Sequence, residues 1–258
     1  MRMAEYTVND GVGKILLKRI IRFWNMAKII IGIQARSTST RLPGKSSMDF
    51  GDKSILSRIA SQAVRVCGWF SNNPNIQASV VILVPFGDKL KDELSHKYTI
   101  IEGDEQDVAS RYKKAMDFFQ CDYIVRITGD CVWLPARIIS KCIRDTLRCS
   151  ADYCSNVIVR TFPEGYDCEV ISKRLFNWML DQDLSDDEKE HCTLRIFNDI
   201  INRRIPPVYT IHTVLNEYDM SEIKTSIDTK IEYDEAIKLL DAYNNKRFEA
   251  SNFGGVSV

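Results

Sequence analysis

The stretch KIIIGIQARSTSTRLPGKSS, residues 28–47, joins an apolar run to a loop that is rich in positive charge. An unbroken apolar run such as KIIIGI is typical of a β-strand that is buried on both faces. Arg36, Arg41 and Lys45 follow shortly after the run ends at Gln34. A buried strand that leads directly into a cationic loop predicts an anion-binding site at the carboxyl end of that strand.

Strand-forming runs alternate with helical patterns along the chain. We predict strands at residues 28–33, 79–84 and 122–127, and shorter ones at 98–101, 152–155, 167–171, 208–213 and 223–227. Helices are predicted from the N-cap Ser54 onward and at residues 88–96, 105–119, 135–147, 172–181, 187–203 and 231–243. This order predicts an α/β fold with a mostly parallel sheet that is covered by helices on both faces. The loops that follow residues 33 and 127 are therefore expected at the site.

The composition limits the classes of function. The chain has 258 residues, of which 45% are apolar, enough for one large domain, which we assign to residues 28–248. Lys plus Arg equals Asp plus Glu at 35 each, so we predict no nucleic-acid partner and only a local anion site. No apolar run reaches the roughly 18 residues of a membrane span, so no stable membrane insertion is expected. The eight cysteines contain no CxxC pair and are predicted to be reduced thiols of a cytoplasmic protein.

The two ends of the chain are predicted to lie outside this domain. The N-terminal extension, residues 1–27, contains the stretch VGKILLKRIIRFWN and is predicted to be helical. Lys18 and Arg19 interrupt its apolar part, unlike the apolar part of a signal peptide. It is either an accessory segment or an amphipathic helix on a membrane surface. Residues 249–258 are predicted to form a flexible tail.

The cationic loop has three interpretations from its residues alone. Its ending GKS resembles a P-loop, but Ser39 stands where that motif has glycine, and the next helix starts only near Ser54. A solvated basic loop without a function is the second interpretation. The third is a polyphosphate clamp, because arginine pairs with phosphate through two parallel hydrogen bonds and lysine adds a mobile charge. Pro43 and Gly44 would fix the turn that directs these side chains.

The segment IQARSTSTRLPGK closely resembles the N-terminal signature of the CTP-dependent cytidylyltransferases that activate acidic sugars. Further segments resemble later motifs of that family in the same order: EGDEQDVASRYKKA (102–115), DYIVRITGDCVW (122–133), ADYCSN (151–156), FPEGYDCEVIS (162–172), EKEHCTLRIF (188–197) and KTSIDTKIEYDEA (224–236). The resemblance covers residues 28–243, and the nearest branch is the spore-coat-polysaccharide type.

The resemblance implies a three-layer α/β/α fold related to the nucleotide-diphospho-sugar transferases. It implies that CTP and an acidic sugar give a CMP-sugar and pyrophosphate for surface-glycan synthesis, and that the enzyme is a homodimer. It also implies that Gln34 and Ala35 lie beside the nucleotide, and that Arg36, Arg41 and Lys45 hold its triphosphate. The alternatives are a glycosyltransferase of related fold that uses a nucleotide sugar, and a non-catalytic nucleotide-binding relative.

Two aspartates follow predicted strands at distant points of the chain, Asp130 in ITGD and Asp228 in SID. Each one alone is also compatible with a helix N-cap or a turn. Mg²⁺ is commonly held by one or two carboxylates together with phosphates and water. In the resembling family the matching aspartates are the metal ligands, so we predict that Asp130 and Asp228 bind Mg²⁺. With Arg36 and Lys45 they form the predicted catalytic set.

The segment FPEGYDCEV is the main candidate for sugar binding. Strand alternation would place Asp167 and Glu169 on one face, either to bind sugar hydroxyls or as part of a salt-bridged surface strand. Glu164, from the same segment, is assigned to the sugar with them.

Two further residues have open roles. His191 is assigned to the sugar and lies in the predicted helix 187–203, where a structural role is equally compatible. Arg111 is assigned to the nucleotide, where it would line the base pocket. It could instead pair with Asp107 one helical turn away.

Overall fold

The computed structural model describes residues 26–253, with side chains described as far as residue 245. Nearly all of the predicted N-terminal extension therefore lies outside the described residues. The strands are β1 (Ala27–Gln34), β2 (Asp49–Phe50), β3 (Lys53–Ser54), β4 (Ile76–Pro85), β5 (Thr99–Gly103), β6 (Tyr123–Thr128), β7 (Tyr153–Ser155), β8 (Glu169–Ser172) and β9 (Ile211–Thr213). The helices are α1 (Ile55–Phe70), α2 (Leu90–Leu94), α3 (Val108–Phe119), α4 (Ala136–Cys149), α5 (Lys173–Leu180), α6 (Asp186–Glu190), α7 (Leu194–Ile201) and α8 (Lys230–Phe253).

The main sheet has seven strands in the order β5-β4-β1-β6-β8-β7-β9. Strand β1 pairs in parallel with β4 on one side and β6 on the other, and β5 pairs in parallel with β4. Strand β8 is antiparallel to both of its neighbours. The chain builds outward from β1 to β5 and then crosses to β6, so the strand order reverses at β1. Ligands in such sheets bind where the order reverses, beyond the carboxyl ends of the strands.

The successive isoleucines of β1 face opposite sides of the sheet and contribute to two cores. Ile29 and Ile31 pack in one core with α1 and α4, while Ile30 packs in the other with α3 and α5. Helix α1 begins as predicted, with the hydroxyl of Ser54 accepting a hydrogen bond from the Ser57 amide at 3.2 Å. The three-layer α/β/α prediction, with a mostly parallel central sheet, is thus confirmed.

The structure differs from three of the predicted elements in the C-terminal part of the chain. Residues 223–227 form no strand and contribute only an isolated bridge between Glu164 and Lys224. The predicted helix 187–203 is broken into α6 and α7 at His191, whose backbone is not helical. The chain turns inward there because Cys192 is fully buried in the second core. Helix α8 continues to Phe253, so the first part of the predicted tail is helical.

Two general predictions from composition can be compared with the structure. All eight cysteines are free of disulfide bonds, as expected of reduced thiols. Within residues 26–253, no helix is long and apolar enough to cross a membrane.

Candidate active site

A cavity of about 230 Å³ lies at the carboxyl ends of β1 and β6. Its walls come from the loop after β1, from β6 and the loop after it, from α3, and from the segments around the α6–α7 break and before α8. The predicted residues that line it are Gln34, Ala35, Arg36, Arg41, Lys45, Arg111, Asp130, His191 and Asp228. The structure therefore brings nine of the predicted site residues to one cavity.

The cationic loop is held in a fixed turn. Gly44 has the positive backbone angle φ 71°, which glycine adopts without strain, and its amide donates to the Ser37 carbonyl at 3.1 Å. The Ser37 amide in turn donates to the Asp88 carboxylate at 2.8 Å. Lys45 opens a three-residue 3₁₀ turn, Lys45–Ser47, and not the longer helix whose N-terminus faces phosphate in a P-loop. The P-loop interpretation is therefore wrong.

Lys45 brings the two distant aspartates together. Its Nζ lies 2.6 Å from the Ile227 carbonyl oxygen, 3.2 Å from Asp228 Oδ1 and 4.0 Å from Asp130 Oδ2. The side chain of Lys45 is only 12% exposed. Both carboxylates therefore reach a single cation, as the proposed fold requires.

Asp228 is shared by further cations. Arg41 Nη2 lies 3.1 Å from Asp228 Oδ1, and Lys224 Nζ lies 3.7 Å from Oδ2. We call Lys45, Arg41, Lys224, Asp130 and Asp228 the Lys45 cluster. Its members range from nearly buried to two-thirds exposed, since the side chain of Arg41 is 67% exposed. The solvated-loop interpretation does not account for cations that converge on one carboxylate.

Neither aspartate caps a helix. At the start of α8, the Thr229 hydroxyl accepts from the Glu232 amide at 3.3 Å, and the Glu232 carboxylate accepts from the Thr229 amide at 2.9 Å. The same carboxylate accepts from the Asp228 amide at 2.7 Å. The residue that precedes α4 is Pro135, so Asp130 does not cap that helix. Both aspartate side chains are thereby left for other partners.

Burial and hydrogen bonding oppose each other at Glu232. Desolvation favours its neutral form, but hydrogen bonds from Lys224 and from the amides of Asp228 and Thr229 outweigh this and lower the pKa of Glu232 to about 2. The carboxylate is thus charged over a wide pH range and holds the backbone of Asp228 in place.

Glycine allows the loops after β1 and β6 to meet. A Cβ on Gly129 would lie 2.9 Å from the Gln34 carbonyl oxygen, closer than real Cβ contacts. The Asp130 carbonyl accepts from the Ile227 amide at 3.2 Å, which ties the segment before α8 to the same edge. Three chain segments therefore converge on the cavity.

Arg36 spans the opening between two acidic residues. Its Nη1 lies 3.7 Å from Glu105, and its Nη2 lies 3.4 Å from Glu190. Each of these side chains is a little more than a third exposed. Pairs of this kind are weak and exchange partners readily.

Arg111 is a buried cation that has no anionic partner within 4 Å among the described residues. Only 3% of the residue is exposed, and its guanidinium donates to the carbonyls of Leu83 at 3.3 Å and Glu105 at 3.5 Å. Its Nε is buried and has no hydrogen-bond partner among the described residues. Burial lowers the pKa of Arg111. Asp107 instead caps α3 by accepting from the Ser110 amide at 2.8 Å, so the structure favours the pocket role over a pair with Asp107.

A buried network supports the cavity from below. Arg126 pairs with the Glu169 carboxylate, which also accepts hydrogen bonds from the Tyr153 hydroxyl and, at 3.1 Å, from the Thr193 hydroxyl. We call these four residues the Arg126 network. Burial alone would lower the pKa of Arg126, but the charge of Glu169 outweighs it and raises that pKa. Glu169 is 2% exposed and does not line the cavity. This cavity therefore gives no support to the prediction that Glu169 contacts the sugar.

Asp167 and Glu164 also lie outside the lining of this cavity. Arg160 contacts both oxygens of Asp167, at 2.7 and 3.1 Å. Glu164 Oε1 accepts from the Ser226 hydroxyl at 3.1 Å and lies 3.7 Å from Lys224 Nζ. The structure thus gives both carboxylates partners within the protein.

The shared face predicted for Asp167 and Glu169 fails because strand β8 starts only at Glu169. Before it, the Asn156 side chain takes the place of a neighbouring strand. It accepts from the Cys168 amide at 2.9 Å and donates to the Tyr166 carbonyl at 2.8 Å.

The sequence analysis missed Arg126 and Glu190, which both line the cavity. Arg126 is a charged residue inside the apolar run DYIVRI, and that contrast was a usable signal. Glu190 had no such signal, because it stands among other charged residues in DDEKEH.

A model of the cytidylyltransferase family matches residues 29–252, and the chain belongs to that family. It is therefore a nucleotidyltransferase. It is 26% identical over 227 residues to the spore coat polysaccharide biosynthesis protein SpsF of Bacillus subtilis (strain 168). The matched region covers 83% of this chain and 87% of that protein.

Solved structures share the fold. A cytidylyltransferase from Leptospira borgpetersenii serovar Hardjo-bovis matches with a TM-score of 0.69 and 24% identity, over 90% of this chain and 99% of that chain. A CMP:2-keto-3-deoxy-manno-octonic acid synthetase complexed with CTP matches with a TM-score of 0.61 and 14% identity, over 84% and 100%. These matches confirm the nucleotidyltransferase fold that the sequence predicted.

Proposed function

We propose that the protein transfers CMP from CTP to an acidic sugar and releases pyrophosphate, in the synthesis of a surface glycan. One observation carries the proposal: a cavity in a cytidylyltransferase fold brings the cationic loop to two carboxylates, Asp130 and Asp228, that share one ammonium group. The similarity to a spore coat polysaccharide biosynthesis protein supports a sugar substrate.

Asp130 and Asp228 suit a Mg²⁺ ion. They are hard oxygen donors, and both carboxylates lie within 4.0 Å of Lys45 Nζ, which supports a shared cation site at this edge of the sheet. When bound there, Mg²⁺ would polarise the α-phosphate and acidify the attacking hydroxyl of the sugar.

The residues of the cationic loop are proposed to bind the triphosphate and to stabilise the leaving pyrophosphate. Arg36, Arg41 and Lys45 now contact carboxylates, and they would exchange these for phosphate oxygens when CTP binds. The sugar hydroxyl attacks the α-phosphorus and loses its proton to solvent. The bond between the α-phosphorus and the oxygen that bridges it to the β-phosphate breaks, and pyrophosphate leaves. These cations would then stabilise the negative charge that develops on pyrophosphate. His191, which lines the cavity, is proposed to contact the sugar.

Pyrophosphate release tests this function directly. We expect release with CTP and an acidic sugar, and far less with ATP, GTP or UTP or with neutral sugars. The assay should include a panel of acidic sugars of different length. Consumption of a nucleotide sugar without pyrophosphate release would identify a glycosyltransferase. Binding of CTP without turnover on any sugar in the panel would support a non-catalytic relative.

A further inference from the structure

The amide of Gln34 can present only one of its two ends to the cavity. Gln34 Oε1 accepts from Arg126 Nε at 3.2 Å and lies 3.3 Å from the Tyr112 hydroxyl. An arginine Nε is always a donor, so the amide atom that faces it must be the oxygen. Rotating the amide would direct its NH₂ group at the guanidinium. The NH₂ group has no hydrogen-bond partner among residues 26–245, and Gln34 lines the cavity.

Arg126 is itself fixed from behind. Its partner Glu169 is 2% exposed, and Oε1 and Oε2 of that carboxylate also receive the hydroxyls of Tyr153 and Thr193. Both oxygens of this buried carboxylate are thus hydrogen-bonded. Arg126 has no other position of low energy, because moving it away would leave a buried charge unpaired. The contacts from Glu169 to Arg126 and from Arg126 to Gln34 therefore fix the orientation of the Gln34 amide from the core.

The neighbouring cation adds a second donor. Arg111 has a buried Nε without a partner among the described residues, and it lines the same cavity as Gln34. The guanidinium of Arg111 carries only donors, and the Gln34 amide has only its NH₂ group left for a ligand because its oxygen is held by Arg126. Cytosine carries two adjacent acceptors, O2 and N3, whereas uracil carries a donor at N3. A donor placed opposite N3 leaves the N3–H group of uracil unpaired, which is the kind of mismatch that proteins discriminate strongly.

We propose that Gln34 selects cytosine over uracil by donating its amide NH₂ to the acceptor edge of the base. Glu169 is a positioning residue that sets this direction through Arg126. The inference rests on the proposed function, because it takes CTP as the substrate.

The test compares the affinities of CTP and UTP for the parent protein and for Gln34→Glu and Gln34→Leu, by calorimetry without sugar. Gln34→Glu replaces the donor by an acceptor of nearly equal size, so the preference for CTP over UTP should fall about tenfold or more. Gln34→Leu should weaken CTP binding without improving UTP binding. Unfolding midpoints of both variants should stay close to that of the parent, because each replacement is similar in size to glutamine and Gln34 is not fully buried.

The positioning role is tested with Glu169→Gln and a matched control, Asp152→Asn. Asp152 is also buried, at 1% exposure, and pairs with Arg174, but it lies outside the cavity lining. Both substitutions are expected to destabilise the protein. Only Glu169→Gln should lower the preference for CTP over UTP, because only its arginine contacts Gln34.

The outcomes separate the inference from the proposed function. An unchanged CTP preference in Gln34→Glu, with CTP still bound, would overturn the inference and leave the proposed function standing. Equal affinities of the parent for CTP and UTP would also overturn it. A parent that prefers CTP, loses that preference in Gln34→Glu and yet turns over no sugar would support the inference and contradict the proposed function.

Discussion

The Lys45 cluster and the Arg126 network both pair cations with carboxylates beside the same cavity, but the arrangement of the pairs differs. In the cluster, Asp228 is shared by three cations at 3.1, 3.2 and 3.7 Å, one of which is two-thirds exposed. In the network, Glu169 has one cation and two hydroxyl donors, and its side chain is 3% exposed. The exposed cations of the cluster, Arg41 and Lys224, can take new partners at small cost. A saturated buried pair cannot, because separating it leaves an unpaired charge in the core.

This difference assigns the two regions different tasks. The cluster is suited to exchanging its internal contacts for phosphate and metal. The network is suited to holding the side chains of the cavity floor in one geometry. Substitutions in the cluster should therefore reduce activity more than stability, and substitutions in the network should do the reverse.

The largest effect is expected from Asp228→Asn. Loss of one of two carboxylates for Mg²⁺ should reduce Mg²⁺-dependent pyrophosphate release by orders of magnitude. The metal-free unfolding midpoint should change little, because Thr229 and Glu232 make the cap of α8 without this carboxylate.

Asp145→Asn is a matched control for that substitution. The Asp145 side chain is 11% exposed, against 13% for Asp228, and it also pairs with a lysine and an arginine, at 2.9 and 3.0 Å. It lies outside the cavity lining and should leave specific activity unchanged. If Asp228→Asn melts much earlier than the parent but keeps its specific activity, Asp228 is structural and the two-aspartate metal site is wrong.

Arg126→Met should have the largest effect on stability. It leaves the Glu169 carboxylate buried without a cation, which costs about 3–5 kcal/mol of the free energy of unfolding. Urea unfolding at neutral pH measures this loss. The double variant Arg126→Met/Glu169→Leu should recover most of it, because apolar groups of similar size replace both charges. A single variant as stable as the parent would show that the pair does not support the floor.

Arg36→Ala should separate binding from folding. Its two carboxylate contacts are long and partly exposed, so their loss should cost at most about 1 kcal/mol of the free energy of unfolding. The KM for CTP should rise, because a triphosphate contact is removed. Arg160→Ala is the control, since its side chain is similarly exposed, 31% against 35%, and it pairs with Asp167 away from the cavity. An equal rise in KM for both variants would contradict the clamp.

The smallest effect concerns pH. The pKa of Glu232 falls from 4.5 to about 2 on folding, so in this acidic range the unfolded chain binds more protons. The stabilisation by Glu232 is thus complete above the unfolded pKa and is lost as pH falls toward the folded value. The stability difference between the parent and Glu232→Gln should be constant near neutral pH and should shrink between about pH 4.5 and pH 2. Urea unfolding midpoints across this range measure it, and a difference that stays constant down to the lower limit would show that Glu232 is not held as described.

Many of the residues that line the cavity could be located because they follow strong local signals. Lys45 and Arg36 stand directly after a buried strand, and Asp130 follows another. Two predictions of local structure were wrong, because His191 does not lie in a helix and Asp167 does not share a strand face with Glu169. In both cases the local pattern was correct for an isolated element, but the burial of Cys192 and the side chain of Asn156 overrode it.

The sequence by itself determined the layer order, the strand and helix cores, and the charge of the loop after β1. Those properties depend on the periodicity of apolar residues and on turn residues, which act over a few positions. Only the tertiary structure decided that Arg126 pairs with Glu169, 43 residues away, and that Lys45 meets both aspartates. Antiparallel pairing of β6 with β8 sets Arg126 opposite Glu169. The burial of a charge and the identity of its partner depend on strand register and loop convergence, which no local pattern encodes.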